Sequence, residues 1–191
     1  MKKVIKEYLN AVSNNFKNLD SQIENISLAA NLIIDSLKNE NKIIFCGNGG
    51  SAADSQHLAA ELVGRYKLNR DPLSAISLTV DTSAITAIAN DFGYDEVFSK
   101  QLLGIGKKND VLYAISTSGK SKSIINAIKV ANSLGIRVIS LTGKNISTMN
   151  ELSDITINTP SFDTNHIQEM HIAIGQLICG IVENHFYGEN E

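Results

Sequence analysis

The chain has 191 residues, with 17 basic against 20 acidic side chains and a net charge of −3. That length suits one domain burying about 70% of its unfolded-chain surface, and a balanced charge without long like-charged blocks gives no footing for a nucleic-acid partner. Cys46 and Cys179 both lie in apolar sequence and read as buried free thiols, and with no apolar run of bilayer length and lysines where a signal peptide needs its apolar stretch, the expectation is a cytoplasmic protein without membrane contact.

Residues 3–19 place Val4, Ile5, Tyr8, Leu9, Val12, Phe16 and Leu19 at helical spacing. Ser21-Gln22-Ile23-Glu24 then has the form of a capping box, opening a second helix with Ile23, Ile26, Ala30, Ile33, Ile34 and Leu37 along one stripe. The two make an N-terminal helical hairpin over 1–39, ahead of an α/β core over 40–191. Its apolar stripes must pack on something, either the chain's own sheet or a neighbouring subunit.

The first strand, 43–46, is an apolar run without alternation, as expected of a parallel strand covered on both faces. It breaks into Gly47-Asn48-Gly49-Gly50-Ser51, where three glycines allow positive φ and close approach of a ligand. Ser51 is placed to cap a helix over 51–66, whose first N–H groups would be left to hold an anion. Strand, glycines and helix N-terminus together make a phosphate seat.

A second strand is expected at 74–78, followed by helices over 81–90 and 95–103 joined by Asp91-Phe92-Gly93-Tyr94. A third strand, 111–115, runs into Ser116-Thr117-Ser118-Gly119-Lys120-Ser121 and a helix over 121–134. A fourth at 136–141 ends at Thr142-Gly143, a short fifth lies at 155–157, and a long helix over 164–187 follows. Strands separated by helices imply a three-layer α/β/α sandwich around a five-stranded parallel sheet of flavodoxin-like type. Its site would be built from loops at the strand C-termini.

Four constellations bear on the chemistry. Gly47 to Ala52 formally satisfies the dinucleotide fingerprint, but the acidic residue that should hold a ribose comes too late, at Asp81. Gly119-Lys120-Ser121 resembles the end of a P-loop, but the required earlier glycine falls on Ala114, inside a strand. What remains at 116–121 is a hydroxyl cluster, Ser116, Thr117, Ser118 and Ser121, at a helix N-terminus. Such a cluster binds a phosphate monoester without Arg or Mg²⁺. His57 and Glu61 share a helix face, the spacing of a metal-binding pair or of a carboxylate base oriented by an imidazole. On the last helix, Gln168, His171 and Gln176 interrupt an apolar stripe and would line a site or an interface. His171 reads as a satisfied core or interface residue, and His166 and His185 as surface residues.

Six stretches in this order resemble the bacterial phosphoheptose isomerases, a family with the sugar-isomerase (SIS) fold. They are Gly47-Asn48-Gly49-Gly50-Ser51-Ala52-Ala53-Asp54, His57-Leu58-Ala59-Ala60-Glu61-Leu62, Gly64-Arg65-Tyr66, Asn90-Asp91-Phe92-Gly93, Ile115-Ser116-Thr117-Ser118-Gly119 and Ile167-Gln168-Glu169-Met170-His171. The resemblance implies interconversion of sedoheptulose 7-phosphate and D-glycero-D-manno-heptose 7-phosphate. It implies a substrate site of Asn48, Gly49, Gly50, Ser51, Asn90, Asp91, Ser116, Thr117, Ser118, Ser121 and Gln168, and a zinc site of His57, Glu61 and Gln168 with Glu61 also the base. It further implies a homotetramer with sites between subunits.

The family's fourth metal ligand and second acid/base group is a histidine, and here that catalytic position is Gln176. An amide neither titrates in the working range nor ligates zinc well. A relative that binds the bacterial replication initiator also lacks this histidine, so the alternative is a non-catalytic SIS tetramer binding sugar phosphate or that partner. The Gly49–Gly50 pair and Glu61, which that relative lacks, favour the isomerase.

Overall fold

The computed structural model describes residues 1–188. Strands β1 (Ile43–Gly47) and β3 (Val111–Ile115) are buried at every position, which their unbroken apolar sequence requires. They pair in parallel at the centre of a five-stranded sheet completed by β2 (Ala75–Ser77), β4 (Arg137–Thr142) and β5 (Ile155–Asn158), in the order β2-β1-β3-β4-β5. That order is the flavodoxin-like one, and its switch point falls between β1 and β3.

Alternation along the strands divides the core into two layers. Ile43, Phe45, Val111, Tyr113 and Ile139 face α2 (Ile23–Lys38), α3 (Gly50–Val63) and α8 (Thr164–Tyr187), meeting Ile33, Leu58, Leu62, Ile174 and Val182. Ile44, Cys46, Leu112, Ala114 and Val138 face the opposite layer, where α5 (Val97–Ile105) and α6 (Lys122–Leu134) supply Phe98, Leu102, Ile124 and Ile128. Helix α4 (Thr82–Phe92) lies on that side too, capped by Asp81, whose carboxylate accepts from Ala84 N–H at 2.9 Å. Both cysteines are buried and free, as expected. Among the described residues no helix is long and apolar enough to cross a membrane.

Helix α1 (Lys2–Lys17) forms where expected but buries no residue. Val4 and Leu9 are 66% and 60% exposed, so its stripe does not lie on the chain's own sheet. It meets the body through Tyr8, whose hydroxyl donates to Glu169 and whose ring lies 4.9 Å from that of His166. His166 is therefore buried, not a surface residue. The expected capping box at Ser21 does not form. Residues 18–22 make a 3-10 turn that keeps the chain helical between α1 and α2, so Ser21 never adopts the extended conformation of a cap. Its hydroxyl donates backwards to the Asn18 carbonyl instead. A short helix, α7 (Thr148–Leu152), opens with a true capping box between Ser147 and Asn150.

Candidate active site

The turns after β1 and β3 leave the sheet side by side, because Cys46 pairs with Ala114 and Gly47 with Ile115. They therefore flank the switch point, where open α/β sheets bind ligands. Asn48 bridges them, its Nδ2 donating to Ser121 Oγ at 2.8 Å and to Ser123 Oγ at 3.0 Å.

The first turn departs from expectation. Ser51 is not the cap of α3; the helix begins at Gly50, with Gly49 at the cap position and φ of +56°, a conformation that glycine adopts freely. Ser51 is buried one residue inside, and its carbonyl accepts from Ser55 Oγ. The N–H groups of Ser51 and Ala52 return to the carbonyls of Asn48 and Gly49, each at 3.0 Å, so the first turn of α3 is largely satisfied.

The second turn is the better anion seat. Ser121 occupies the cap position of α6 without capping it, since its hydroxyl is engaged by Asn48. Among the described residues, the N–H groups of Lys122, Ser123 and Ile124 meet no protein acceptor. Those free donors sit at the positive end of a 13-residue helix. Around them lie Ser116, Thr117 and Ser118; Ser118 Oγ accepts from Lys120 N–H at 3.2 Å. The Thr117 carbonyl accepts from Gly143 N–H at 3.1 Å, tying the turn to the end of β4.

Further along α3, His57 Nε2 lies 2.9 Å from Glu61 Oε1 and 3.4 Å from the Gln176 amide on α8. An imidazole nitrogen offers one hydrogen or one lone pair. When Glu61 is ionised, Nε2 donates to it, and Gln176 joins only by turning its carbonyl oxygen to the ring. Helices α3 and α8 approach closely because Gly175 has no side chain: a Cβ there would overlap Leu58. A Cβ on Gly50 would overlap the Gln168 amide, which places Gln168 over the start of α3. His57 follows Gly50 by about 10 Å of axial rise, so α8 spans the same length of site as α3. His171 is fully buried with Nε2 3.2 Å from the Thr142 carbonyl, and burial holds its pKa down at about 4. It is a core residue, although its Nδ1 meets no partner among the described residues.

Asn90 and Asp91 stand on the exposed last turn of α4, bonded to each other at 2.8 Å and to none of the other candidates. The residue that links this segment to the site is Tyr94, whose hydroxyl donates to Asn48 Oδ1 at 2.8 Å. Asp54, which the spacing of His57 and Glu61 does not single out, is buried one turn before His57. Burial raises its carboxyl to about 6 against the lowering effect of His57, and its Oδ2 has no partner.

A buried ion pair behind the site also escaped the sequence. Glu183 on α8 accepts from the N–H groups of Tyr66, Lys67 and Leu68 and from Arg70 Nε at 3.0 Å. Arg70 in turn donates to the carbonyls of Glu61 at 2.7 Å and Leu62 at 2.6 Å, the open C-terminal carbonyls of α3. The pair thus fixes the backbone that carries Glu61 and fastens it to α8.

The donors available to a metal are one imidazole, one carboxylate and amides. Among the described residues no three His, Cys, Asp or Glu side chains converge to hold an ion. Resident zinc draws on at least three imidazole, thiolate or carboxylate ligands, so this set does not fit a tightly held zinc.

The flavodoxin-like sheet carries an uncapped, hydroxyl-rich helix N-terminus at its switch point, and the SIS domain model matches residues 7–143, which makes this a SIS-domain protein. The chain is 52% identical over 188 residues to the phosphoheptose isomerase of Akkermansia muciniphila, covering 98% of this chain and 100% of that one. It is 52% identical over 174 residues to the phosphoheptose isomerase of Helicobacter pylori strain Shi470, 91% of each chain. The solved phosphoheptose isomerase of Neisseria gonorrhoeae superposes with a TM-score of 0.91 at 38% identity, covering 96% of this chain and 98% of that one. The chain belongs to the phosphoheptose isomerase family.

Proposed function

We propose that this chain, as one SIS domain, is an aldose–ketose isomerase that interconverts sedoheptulose 7-phosphate and D-glycero-D-manno-heptose 7-phosphate. The reading rests on the Glu61–His57 pair and the uncapped N-terminus of α6, both held by one chain that is similar to phosphoheptose isomerases over nearly its whole length. In the forward direction a proton leaves C1 of the ketose, giving an enediol. A proton is then delivered to C2, while the hydroxyl proton passes from O1 to O2.

Glu61 takes and returns the carbon-bound proton, and His57 holds its carboxylate in place. Gln168 and Gln176, as neutral amides, donate to the sugar oxygens as charge builds on them. The free N–H groups of α6 and the hydroxyls of 116–121 hold the phosphate, whose remote binding fixes the reacting carbons over Glu61. Incubating the purified protein with sedoheptulose 7-phosphate and measuring aldose tests the reaction; no aldose formation by folded protein overturns it.

Replacing Ser116 and Ser118 together by Ala should weaken sugar-phosphate binding about tenfold or more. Each lost hydrogen bond to a charged group is worth roughly 1.5–3 kcal/mol, while the backbone donors remain. Titration calorimetry checks this, and unchanged affinity would leave the turn a mere connection.

The protein works in the cytoplasm as a homotetramer with sites between subunits. Support comes from the exposed apolar stripe of α1 and from Ile23, Leu177 and Ile181, which leave an apolar groove between α2 and α8. Light scattering at micromolar concentration should return four chains per particle, and dissociation should follow deletion of residues 1–39. A full-length monomer refutes the assembly.

A further inference from the structure

We infer that Tyr94 is a positioning residue that sets the direction of the hydrogen bonds at the phosphate seat, so that Ser121 presents its hydroxyl hydrogen to the phosphate. The inference rests on the reading of the 116–121 turn as that seat.

Asn48 lies between three hydroxyls. Its Oδ1 is 2.8 Å from Tyr94 OH, and its Nδ2 is 2.8 Å from Ser121 Oγ and 3.0 Å from Ser123 Oγ. A carboxamide in this position has two orientations, and hydroxyls satisfy either. They differ in what they leave for a ligand. With Nδ2 toward the serines, both Nδ2 hydrogens are donated to them, and each serine oxygen accepts. With Oδ1 toward the serines, each must spend its only hydrogen on Asn48, and the seat loses a donor facing the anion.

Tyr94 selects between the two. A phenol is a stronger donor than an alkyl hydroxyl, as its pKa near 10 reflects, and a poorer acceptor because its oxygen lone pair is shared with the ring. It therefore favours Oδ1 as its partner. The remaining hydroxyl order follows from burial. Ser123 is 2% exposed and its Oγ is 3.2 Å from Ser121 Oγ, so its hydrogen goes to Ser121. Ser121 then accepts from Asn48 and Ser123, and its own hydrogen points into the site beside the free N–H groups of α6.

The backbone of Tyr94 is held to the same helix. Gly93, at φ of +90°, turns the chain off α4, and Asn126 of α6 donates to the Asp95 carbonyl at 3.2 Å and to Glu96 Oε1 at 2.9 Å. The segment that carries Tyr94 is thus fastened to the helix that follows Ser121, although Tyr94 is 54% exposed and adds little to the core.

The test is a double-mutant cycle with Tyr94→Phe and Ser121→Ala, read by calorimetric titration with inorganic phosphate and by steady-state kinetics on sedoheptulose 7-phosphate. Loss of the orienting bond should weaken phosphate binding about five- to tenfold in Tyr94→Phe, the size of one neutral hydrogen bond. It should raise KM by the same factor, with kcat within about twofold and the melting temperature unchanged. In the Ser121→Ala background, Tyr94→Phe should have no further effect, since Tyr94 acts only through that hydroxyl. Wild-type affinity in Tyr94→Phe alongside weakened Ser121→Ala would overturn the inference and leave the seat standing. Additive losses would mean that Tyr94 touches the ligand itself, which also overturns it. If wild-type protein bound no phosphate and Ser121→Ala changed nothing, the seat and the inference would fall together.

Discussion

Glu61→Gln should lose about 10²- to 10⁴-fold in kcat, the contribution expected of a positioned general base, while folding as the wild type does. The substitution keeps the shape of the side chain and an oxygen that accepts from His57, 2.9 Å away in the wild type. It removes only the capacity to carry a proton. The backbone is insulated from the change because Arg70 holds the Glu61 carbonyl independently. Gln176 cannot take over, since an amide does not titrate in this range. Aldose formation under saturating ketose measures the loss, with circular dichroism confirming the fold. Turnover within tenfold of wild type would move the base elsewhere, and His57, the titratable group bonded to Glu61, would be the next to replace.

Glu183→Gln should cost stability rather than chemistry first. The wild-type carboxylate accepts from three N–H groups and Arg70, all in a site where Glu183 is 2% exposed. A neutral amide leaves the guanidinium, itself 1% exposed, without its counter-charge. Breaking a buried pair on one side costs about 3–5 kcal/mol, and at roughly 2–4 °C per kcal/mol for a chain of this size the melting temperature should fall by about 6–20 °C.

Although burial alone would raise the Glu183 carboxyl, the hydrogen bonds from Leu68, Lys67, Tyr66 and Arg70 outweigh it and bring it down from 4.5 to about 2. A carboxylate depressed on folding stabilises fully above its ordinary value, and that stability is lost as pH falls through the folded one. The gap between wild type and Glu183→Gln should therefore be constant above about pH 5 and narrow from pH 4.5 toward pH 2. Urea midpoints at pH 7 and pH 3 compare the two; a gap equal at both would mean that the carboxylate charge contributes nothing.

Much of this architecture is written in periodicity. The runs at 43–46 and 111–115 could only be buried from both sides, and the stripe on α8 gave its bounds. The five residues of α7 are too few to show a period, though Ser147 and Asn150 carried the capping signal. The failure at Ser21 shows that a capping pattern means nothing where the chain never leaves the helical region. In the site, spacing was enough to join His57 to Glu61, because a helix makes its own neighbours. It could not say which of two Gly- and Ser-rich turns keeps its N–H groups free, since that depends on whether Asn48 diverts Ser121. Tyr94, Arg70 and Glu183 were missed for the same reason: their partners are brought to them by the fold. Glu183 left one trace, an acidic residue beside the apolar stripe at Ile178, Cys179 and Val182.

The contact between Gly175 and Leu58 gives the two halves of the site a common gauge. Helix α3 carries the titratable groups and α8 the amides, and the width of the channel between them is set by the absence of one methyl group. Hydrogen bonds such as that between His57 and Gln176 tolerate several tenths of an ångström, whereas packed hydrocarbon does not. Reach across the site is thus governed by steric contact in the dry layer beneath it. The polar residues above inherit their spacing, and a change in side-chain volume at position 175 would be transmitted to every one of them at once.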